Sequence, residues 1–235
     1  MRIRYAFSFF VLMLFLCASI SIPAAIFVFR GNGAAPLTFV IDAGHGGEDG
    51  GAVGADGTLE SEVNLAVALR LEQMLALCGF PTVMTRRIEE ISYPDAAKTI
   101  RERKRADQEY RAALINGTDG AVLLSIHQNQ YSTAGPRGAQ VFYSSTPGSE
   151  DFAKEMQARL AVLCGDHRKA APISPEIFLL KEARCPAILI ECGFLSNPEE
   201  LCLLQSETYQ TKLAVVMTAA CIARRTELEK AYGKG

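Results

Sequence analysis

The chain has 235 residues, of which 49% are hydrophobic and 21% are charged, so it contains enough apolar material for one sizeable core. Its formal net charge of -2 provides no general attraction to nucleic acid, and no basic surface interleaved with aromatic residues is present. We therefore exclude nucleic acid as a partner and expect a single domain.

Residues 1–30 differ in composition from the rest of the chain. Arg2 and Arg4 precede an uncharged, mostly apolar run over residues 5–29, and Arg30 ends it. A helix needs about 20 apolar residues to cross a bilayer, and the early arginines favour export of everything that follows. Two interpretations remain: a retained signal-anchor that holds an exported domain on the membrane, or a signal peptide that is cleaved near "SIPAA", which would release a secreted protein.

Residues 31–36 form a short linker rich in glycine, and residues 37–230 form one domain in which apolar strands alternate with amphipathic helices. The strands are predicted at residues 37–42, 81–86, 120–127, 138–145 and 186–194, and the helices at residues 60–77, 96–115, 150–163 and 208–225. This alternation predicts an α/β fold, with a mostly parallel sheet that is flanked by helices on both faces.

Four polar residues are predicted to meet at one edge of this sheet. His45, His127 and Glu191 follow or end buried strands, and ligands bind beyond the carboxyl ends of the strands in open parallel sheets. Glu60 begins the helix that leaves the glycine loop "GHGGEDGG", and a parallel crossover returns the start of that helix to the same edge.

Two histidines and a carboxylate form a ligand set that suits zinc, with a fourth position left for water. His45, Glu60 and His127 would supply this set, and zinc makes water reactive at neutral pH. Glu191, as a carboxylate that binds no metal, would take a proton from water and donate it to a leaving amine. The pattern therefore predicts hydrolysis of an amide.

Each of these residues also has an ordinary structural interpretation. His45 and His127 could be polar residues of a loop and a strand end, Glu60 could complement the helix dipole, and Glu191 could pair with an arginine. Their joint placement at the strand ends favours a site. The third histidine, His167, lacks this setting and is predicted to lie on the surface.

The glycine loop does not match a dinucleotide-binding motif. Asp49 occupies the position where G-x-G-x-x-G requires its last glycine, so no nucleotide cofactor is predicted. We expect Asp42 or a main-chain carbonyl to fix the tautomer of a liganding histidine. The cysteines outside the membrane segment show no C-x-x-C pair, and we expect buried thiols at most of them.

Three segments resemble the signature blocks of a known family: "IDAGHGGEDGGAVGADGTLESEVNLAVA", "LLSIHQNQ" and "PAILIECGFLSNPEE". They are similar to those of the zinc-dependent N-acetylmuramoyl-L-alanine amidases of the Amidase_3 type. The resemblance implies one zinc ion per chain on His45, Glu60 and His127, and Glu191 as the catalytic carboxylate. The implied substrate is peptidoglycan, cut between the lactyl group of N-acetylmuramic acid and L-alanine. The segment "GAQVFY" resembles the germination-type branch, which prepares spore cortex for formation of muramic lactam.

The chain departs from the family pattern at two places. Gln128 stands where an alanine is common, and "TRRIEE" replaces "TRxxD", although neither departure is expected to touch a proposed ligand. Some relatives carry a helix between the second histidine and the catalytic acid that blocks the site, whereas we expect an open cleft here. The alternatives are a zinc peptidase that cuts within the stem peptide and a wall-binding protein without activity.

Overall fold

The computed structural model describes residues 36–174 and 177–232. These residues contain six strands: β1 (Thr38–Ala43), β2 (Thr82–Met84), β3 (Ala121–Asn129), β4 (Gln140–Tyr143), β5 (Ala171–Pro172) and β6 (Ala187–Phe194). The strands form one sheet in the order β2-β1-β3-β6-β4-β5. The pairs β2–β1, β1–β3 and β3–β6 are parallel. The predicted α/β domain with a mostly parallel sheet is therefore confirmed.

One end of the sheet reverses direction. Strand β4 pairs antiparallel with β6, and the short strand β5 follows β4 in parallel. The sequence pattern did not predict this reversal, because the apolar residues of a buried strand do not encode the direction of its neighbour.

Seven helices accompany the sheet in the described residues: α1 (Glu60–Leu77), α2 (Ile100–Asn116), α3 (Ser149–Cys164), α4 (Phe178–Glu182), α5 (Pro198–Gln205), α6 (Glu207–Ala223) and α7 (Arg225–Tyr232). The four long ones match the predicted helices to within a few residues. None of the helices in these residues is both long enough and apolar enough to cross a bilayer. The predicted membrane segment, within residues 1–30, lies outside the described residues.

Successive side chains of each central strand point to opposite faces of the sheet, where they pack into two separate hydrophobic cores. On one face, Phe39 and Ile41 of β1 pack with residues of α1, α3 and α6. On the other face, Val40 packs with Ile115 of α2 and Leu180 of α4. Phe39 is fully buried, and its truncation to alanine would cost about 3–5 kcal/mol of stability.

The same alternation selects the face that carries the candidate site. Asp42, Ser125 and Glu191 occupy strand positions between residues of the α1 core, so their side chains project toward α2 and α4. His127 lies two residues after Ser125 and shares this face, at the carboxyl end of β3.

Candidate metal and catalytic site

His45 lies just beyond β1 in a left-handed backbone conformation. Its φ is 60°, and no other described residue except glycines has a positive φ. This conformation is unfavourable for any residue that has a Cβ atom. The preceding residue must be small, because a Cβ on Gly44 would overlap the imidazole ring of His127. The glycine loop thus lets the two histidine rings approach, with centroids 5.0 Å apart.

Glu60, the first residue of α1, is held by several donors. Its Oε2 accepts from the main-chain N–H of Ala52 at 2.9 Å, and its Oε1 accepts from that of Gln128 at 3.1 Å. The Asn64 amide, one turn further along α1, also donates to Oε1 at 3.2 Å. These bonds fix the carboxylate between the loop of His45 and the end of β3.

The structure brings the three predicted ligands together. One donor atom from each of His45, Glu60 and His127 lies within 4.8 Å of the other two. His127 Nδ1 is 2.9 Å from Glu60 Oε1, and His45 Nε2 is 3.3 Å from Glu60 Oε2. Two imidazole nitrogens and a carboxylate oxygen suit a zinc ion, so the residues present fit this metal.

The electrostatics of the cluster reflect this proximity. Burial lowers the pKa of His45, but hydrogen bonds with Asp49 and Glu60 outweigh this effect and raise the pKa to about 9. Burial conversely raises the pKa of Glu60, but hydrogen bonds with both histidines hold it well below the usual range. In the metal-free site, the ionised forms of His45 and Glu60 therefore stabilise each other.

Glu191 lies beside this cluster without belonging to it. It is the register partner of His127 on the adjacent strand β6, and both residues line the same cavity. Its Oε2 is buried and has no hydrogen-bond partner in the described part of the chain. Burial raises the pKa of Glu191 to about 7. A partnerless carboxyl group with this pKa can exchange a proton near neutral pH.

Besides Glu60, the carboxylate that contacts His45 is Asp49, whereas we expected Asp42 or a main-chain carbonyl to orient a predicted histidine ligand. Asp49 Oδ2 is 3.0 Å from His45 Nδ1, and Lys104 of α2 holds the other Asp49 oxygen at 2.8 Å. Asp42 is fully buried and instead accepts hydrogen bonds from Thr85, Ser125 and Arg111. Asp49 lies four residues after His45, a spacing that sequence reasoning did not use.

Two buried arginines hold the main chain that leads to His45. Arg111 of α2 donates to the carbonyl oxygens of Ala43 at 2.7 Å and His45 at 2.6 Å. Arg86 donates to the carbonyl oxygens of Ala43 at 2.9 Å and Gly44 at 3.1 Å. Sequence reasoning missed both arginines, because their role depends on tertiary contacts.

The two departures from the family pattern lie close to the cluster. The Gln128 side chain donates to Asn64 Oδ1 at 3.2 Å, and its main-chain N–H contacts the predicted ligand Glu60. In "TRRIEE", Glu89 occupies the position of the family's aspartate and pairs with Arg86 at 2.8 Å. Gln128 thus contacts a predicted ligand through its main chain, which we did not expect, whereas Glu89 pairs with an arginine beside the loop of His45.

A cavity of about 320 Å³ opens onto these residues. Its walls include Glu191 and His127 from the sheet, Lys104 and Arg111 from α2, and Phe178 from α4.

His167, which we expected on the surface, is exposed. All six described cysteines are free thiols, but only three are buried, fewer than the expected majority; Cys164 is half-buried, and Cys78 and Cys202 are exposed.

Comparison with known proteins points to one family. Residues 39–223 match the family model Amidase_3, N-acetylmuramoyl-L-alanine amidase. The chain is 38% identical over 175 residues to a germination-specific N-acetylmuramoyl-L-alanine amidase of Bacillus subtilis, a match that covers 74% of this chain and 73% of the relative. It is also 29% identical to the amidase LytC of the same organism, over 75% of this chain but only 33% of that relative.

Among solved structures, the chain resembles the CwlD amidase of Clostridioides difficile, which was solved in complex with the GerS lipoprotein. The two share 33% sequence identity with a TM-score of 0.77, over 81% of this chain and 98% of the other. The family model, the relatives and the structural likeness lead to one conclusion: this chain belongs to the Amidase_3 family of N-acetylmuramoyl-L-alanine amidases.

Proposed function

We propose that the chain hydrolyses the amide between N-acetylmuramic acid and L-alanine in peptidoglycan, with one zinc ion held by His45, Glu60 and His127 and with Glu191 as the general base. The observation that carries the proposal is the convergence of three donor atoms within 4.8 Å beside Glu191, whose buried Oε2 has no hydrogen-bond partner among the described residues. When bound, zinc supplies a Lewis acid that polarises a carbonyl group and makes water more acidic.

Glu191 performs the proton transfers in this proposal. With a pKa of about 7, its carboxylate can accept a proton from the attacking water at neutral pH. The protonated group can then donate to the amide nitrogen, so that an amine leaves and a lactyl carboxylate remains. Arg111 and Arg86 keep the main chain around His45 in place throughout.

The proposal is tested by replacing Glu191 with glutamine in a purified chain that begins at residue 31. We expect zinc to bind at about one ion per chain and hydrolysis of muropeptides to fall by at least about a hundredfold, because the proton acceptor is gone. His45→Ala should lose zinc as well as activity. Retention of full activity by Glu191→Gln would exclude Glu191 from the mechanism.

The identity of the products decides between the amidase and the alternatives. A free lactyl carboxylate with a new amine on L-alanine supports the amidase. New ends within the stem peptide would indicate a zinc peptidase, and binding to peptidoglycan without any new ends would indicate a wall-binding protein. Mass spectrometry of the digested muropeptides distinguishes these results.

We also propose a role in spore cortex, which the 38% identical germination-specific relative supports. Expression of the chain in a Bacillus subtilis strain that lacks this relative should restore muramic lactam to the cortex, and the Glu191→Gln variant should not.

Because the structurally similar CwlD amidase was solved with the GerS lipoprotein, we further propose a protein partner for this chain. Co-purification from sporulating cells tests this.

The proposed organisation is a signal-anchor or signal peptide at residues 1–30, a linker at residues 31–36 and the catalytic domain at residues 37–230. The enzyme would then act outside the cytoplasm, either anchored to the membrane or secreted. Fractionation of cells that express the full chain tests the proposal: membrane-bound protein supports the anchor, and shortened protein in the medium supports cleavage.

A further inference from the structure

A groove continues from the catalytic cavity along the outer side of α2. Lys104, Gln108 and Phe178 line both spaces, so the groove begins where the cavity ends. Ile100 and Arg101 extend it toward the start of α2, and the space amounts to about 710 Å³. A substrate arm that leaves the cavity on this side must pass along these residues.

The groove is positively charged. Arg101, Lys104 and Arg105 line it, against the single acid Glu109. Arg105 pairs with Glu109 at 2.8 Å, and Lys104 pairs with Asp49 on the cavity side. Arg101 is exposed and, unlike Lys104 and Arg105, is absent from the ion pairs of the described residues. It can therefore bind an anion without breaking an existing contact.

The two arms of the proposed substrate differ in charge. The sugar arm carries hydroxyl and acetamido groups, which are neutral, whereas a stem peptide carries at least its terminal carboxylate. The apolar side chains of Ile100 and Phe178 also suit the small aliphatic side chain of alanine. We propose that this groove binds the stem peptide and that Arg101 selects substrates with a carboxylate beyond the L-alanine. This inference rests on the proposed function.

A matched pair of substrates tests the inference: an N-acetylmuramoyl-L-alanyl-glutamate with free carboxyl groups and the same compound with both carboxyls amidated. For Arg101→Glu, we expect KM for the charged substrate to rise about threefold to tenfold, because an exposed attraction becomes a repulsion. The value of kcat should stay within about twofold, and kinetics on the amidated substrate should be unchanged.

A control reverses a charge elsewhere. Lys154 is exposed on α3, which packs on the opposite face of the sheet, so Lys154→Glu should leave both substrates unaffected. Raising the salt concentration should increase KM for the charged substrate in the wild type and have little effect in Arg101→Glu, because salt screens exposed charges. Equal effects of Arg101→Glu on both substrates, or no effect on either, would overturn the inference.

Calorimetry separates this inference from the proposed function. The Glu191→Gln variant, alone and combined with Arg101→Glu, is titrated with both compounds. Tighter binding of the charged compound that depends on Arg101 supports the groove even if the wild type cleaves neither. Cleavage by the wild type with no preference in either assay would leave the amidase intact and exclude the groove.

Discussion

Arg111 connects the buried face of α2 to the loop of His45. Its guanidinium contacts Asp42 Oδ1 at 2.9 Å and Asp107 Oδ2 at 2.7 Å, in addition to the carbonyl oxygens of Ala43 and His45. A left-handed residue with a side chain costs about 1–3 kcal/mol and persists only where its surroundings fix it. Arg111 holds the loop of His45 in this conformation by contacting all four acceptors at once. The single nitrogen of a lysine could not reach all of them.

We predict that Arg111→Gln lowers the free energy of unfolding by about 3–5 kcal/mol, because it leaves Asp42 buried without its counter-charge. Arg111→Lys keeps the charge and should cost less. Denaturant unfolding of the metal-free proteins measures both.

The double variant Asp42→Asn/Arg111→Gln is the control for this prediction. It removes both charges and should recover part of the lost stability. A double variant as unstable as the sum of the two single variants would show that the ion pair does not contribute as described.

The raised pKa of His45 predicts how the stability of the metal-free protein depends on pH. Because the pKa rises from about 6.5 in the unfolded chain to about 9 in the folded chain, the protonated ring stabilises the fold. This contribution is complete below pH 6.5 and is lost as the pH rises toward 9. Thermal unfolding across this range should therefore show a falling stability.

Asp49→Asn provides the control, because it removes one of the two partners that raise the pKa of His45. The stability should then fall at a lower pH than in the wild type. An unchanged profile would mean that Asp49 does not interact with the ring in solution. If His45 binds zinc as proposed, the metal must displace its proton in both proteins, so the apparent affinity for zinc should increase with pH over the same range.

The four proposed site residues could be predicted from sequence because each lies at a strand end or a helix start that its neighbours specify. The residues that contact these four could not be predicted from sequence. Asp42 and Asp49 both flank His45 in sequence, and only the tertiary positions of Arg111 and Lys104 decide which carboxylate reaches the ring.

At the level of elements, α2 carries both a buried arginine and the cationic groove, so its start must be well defined. Thr99 Oγ1 accepts from the main-chain N–H of Glu102, and Glu102 Oε2 accepts from that of Thr99. This reciprocal pair satisfies two donors that the first turn would otherwise leave unbonded. The sequence pattern placed the start at residue 96, because the alanines and the lysine at residues 96–98 are good helix formers.

We predict that Thr99→Ala lowers the free energy of unfolding by about 1 kcal/mol, because the capping hydroxyl is lost. Thr99→Ser, which keeps the hydroxyl, should behave almost like the wild type. Chemical denaturation of the three proteins measures this difference. Equal stability of the alanine and serine variants would contradict a capping role.

Other elements show the limits of a sequence pattern. The short helix α4 has too few residues to display a helical period. Helix α5 did have a readable start, since Asn197 precedes Pro198 and its side chain accepts from the N–H groups of Glu199 and Glu200. The antiparallel direction of β4 depends on its neighbour β6, which lies almost 50 residues further along the chain.

At the level of the whole molecule, the proposed metal ties the glycine loop, α1 and β3 together. A ligand that binds only the folded state stabilises it by about 4 kcal/mol at a thousandfold excess over its Kd. For a domain of this size we therefore predict that saturating zinc raises Tm by roughly 8–16 °C. Differential scanning calorimetry with zinc and with a chelator measures the shift.

Magnesium and the His127→Ala variant are the controls for this prediction. Magnesium prefers oxygen ligands and should have little effect at the same concentration. The variant lacks one of the three donor groups and should lose most of the zinc-dependent shift. A full shift in the variant would show that zinc stabilises the protein at another place.

Strand β6 is the last strand in sequence among the described residues, yet it lies between β3 and β4 in the middle of the sheet. During synthesis, the edge of β3 that faces β6 therefore remains unpaired until the chain has been made as far as Phe194. Glu191 joins the sheet together with β6. Polypeptides that end before residue 191 would lack the proposed base. If Glu191 is the base, such truncated chains could not hydrolyse the wall of the cell that makes them.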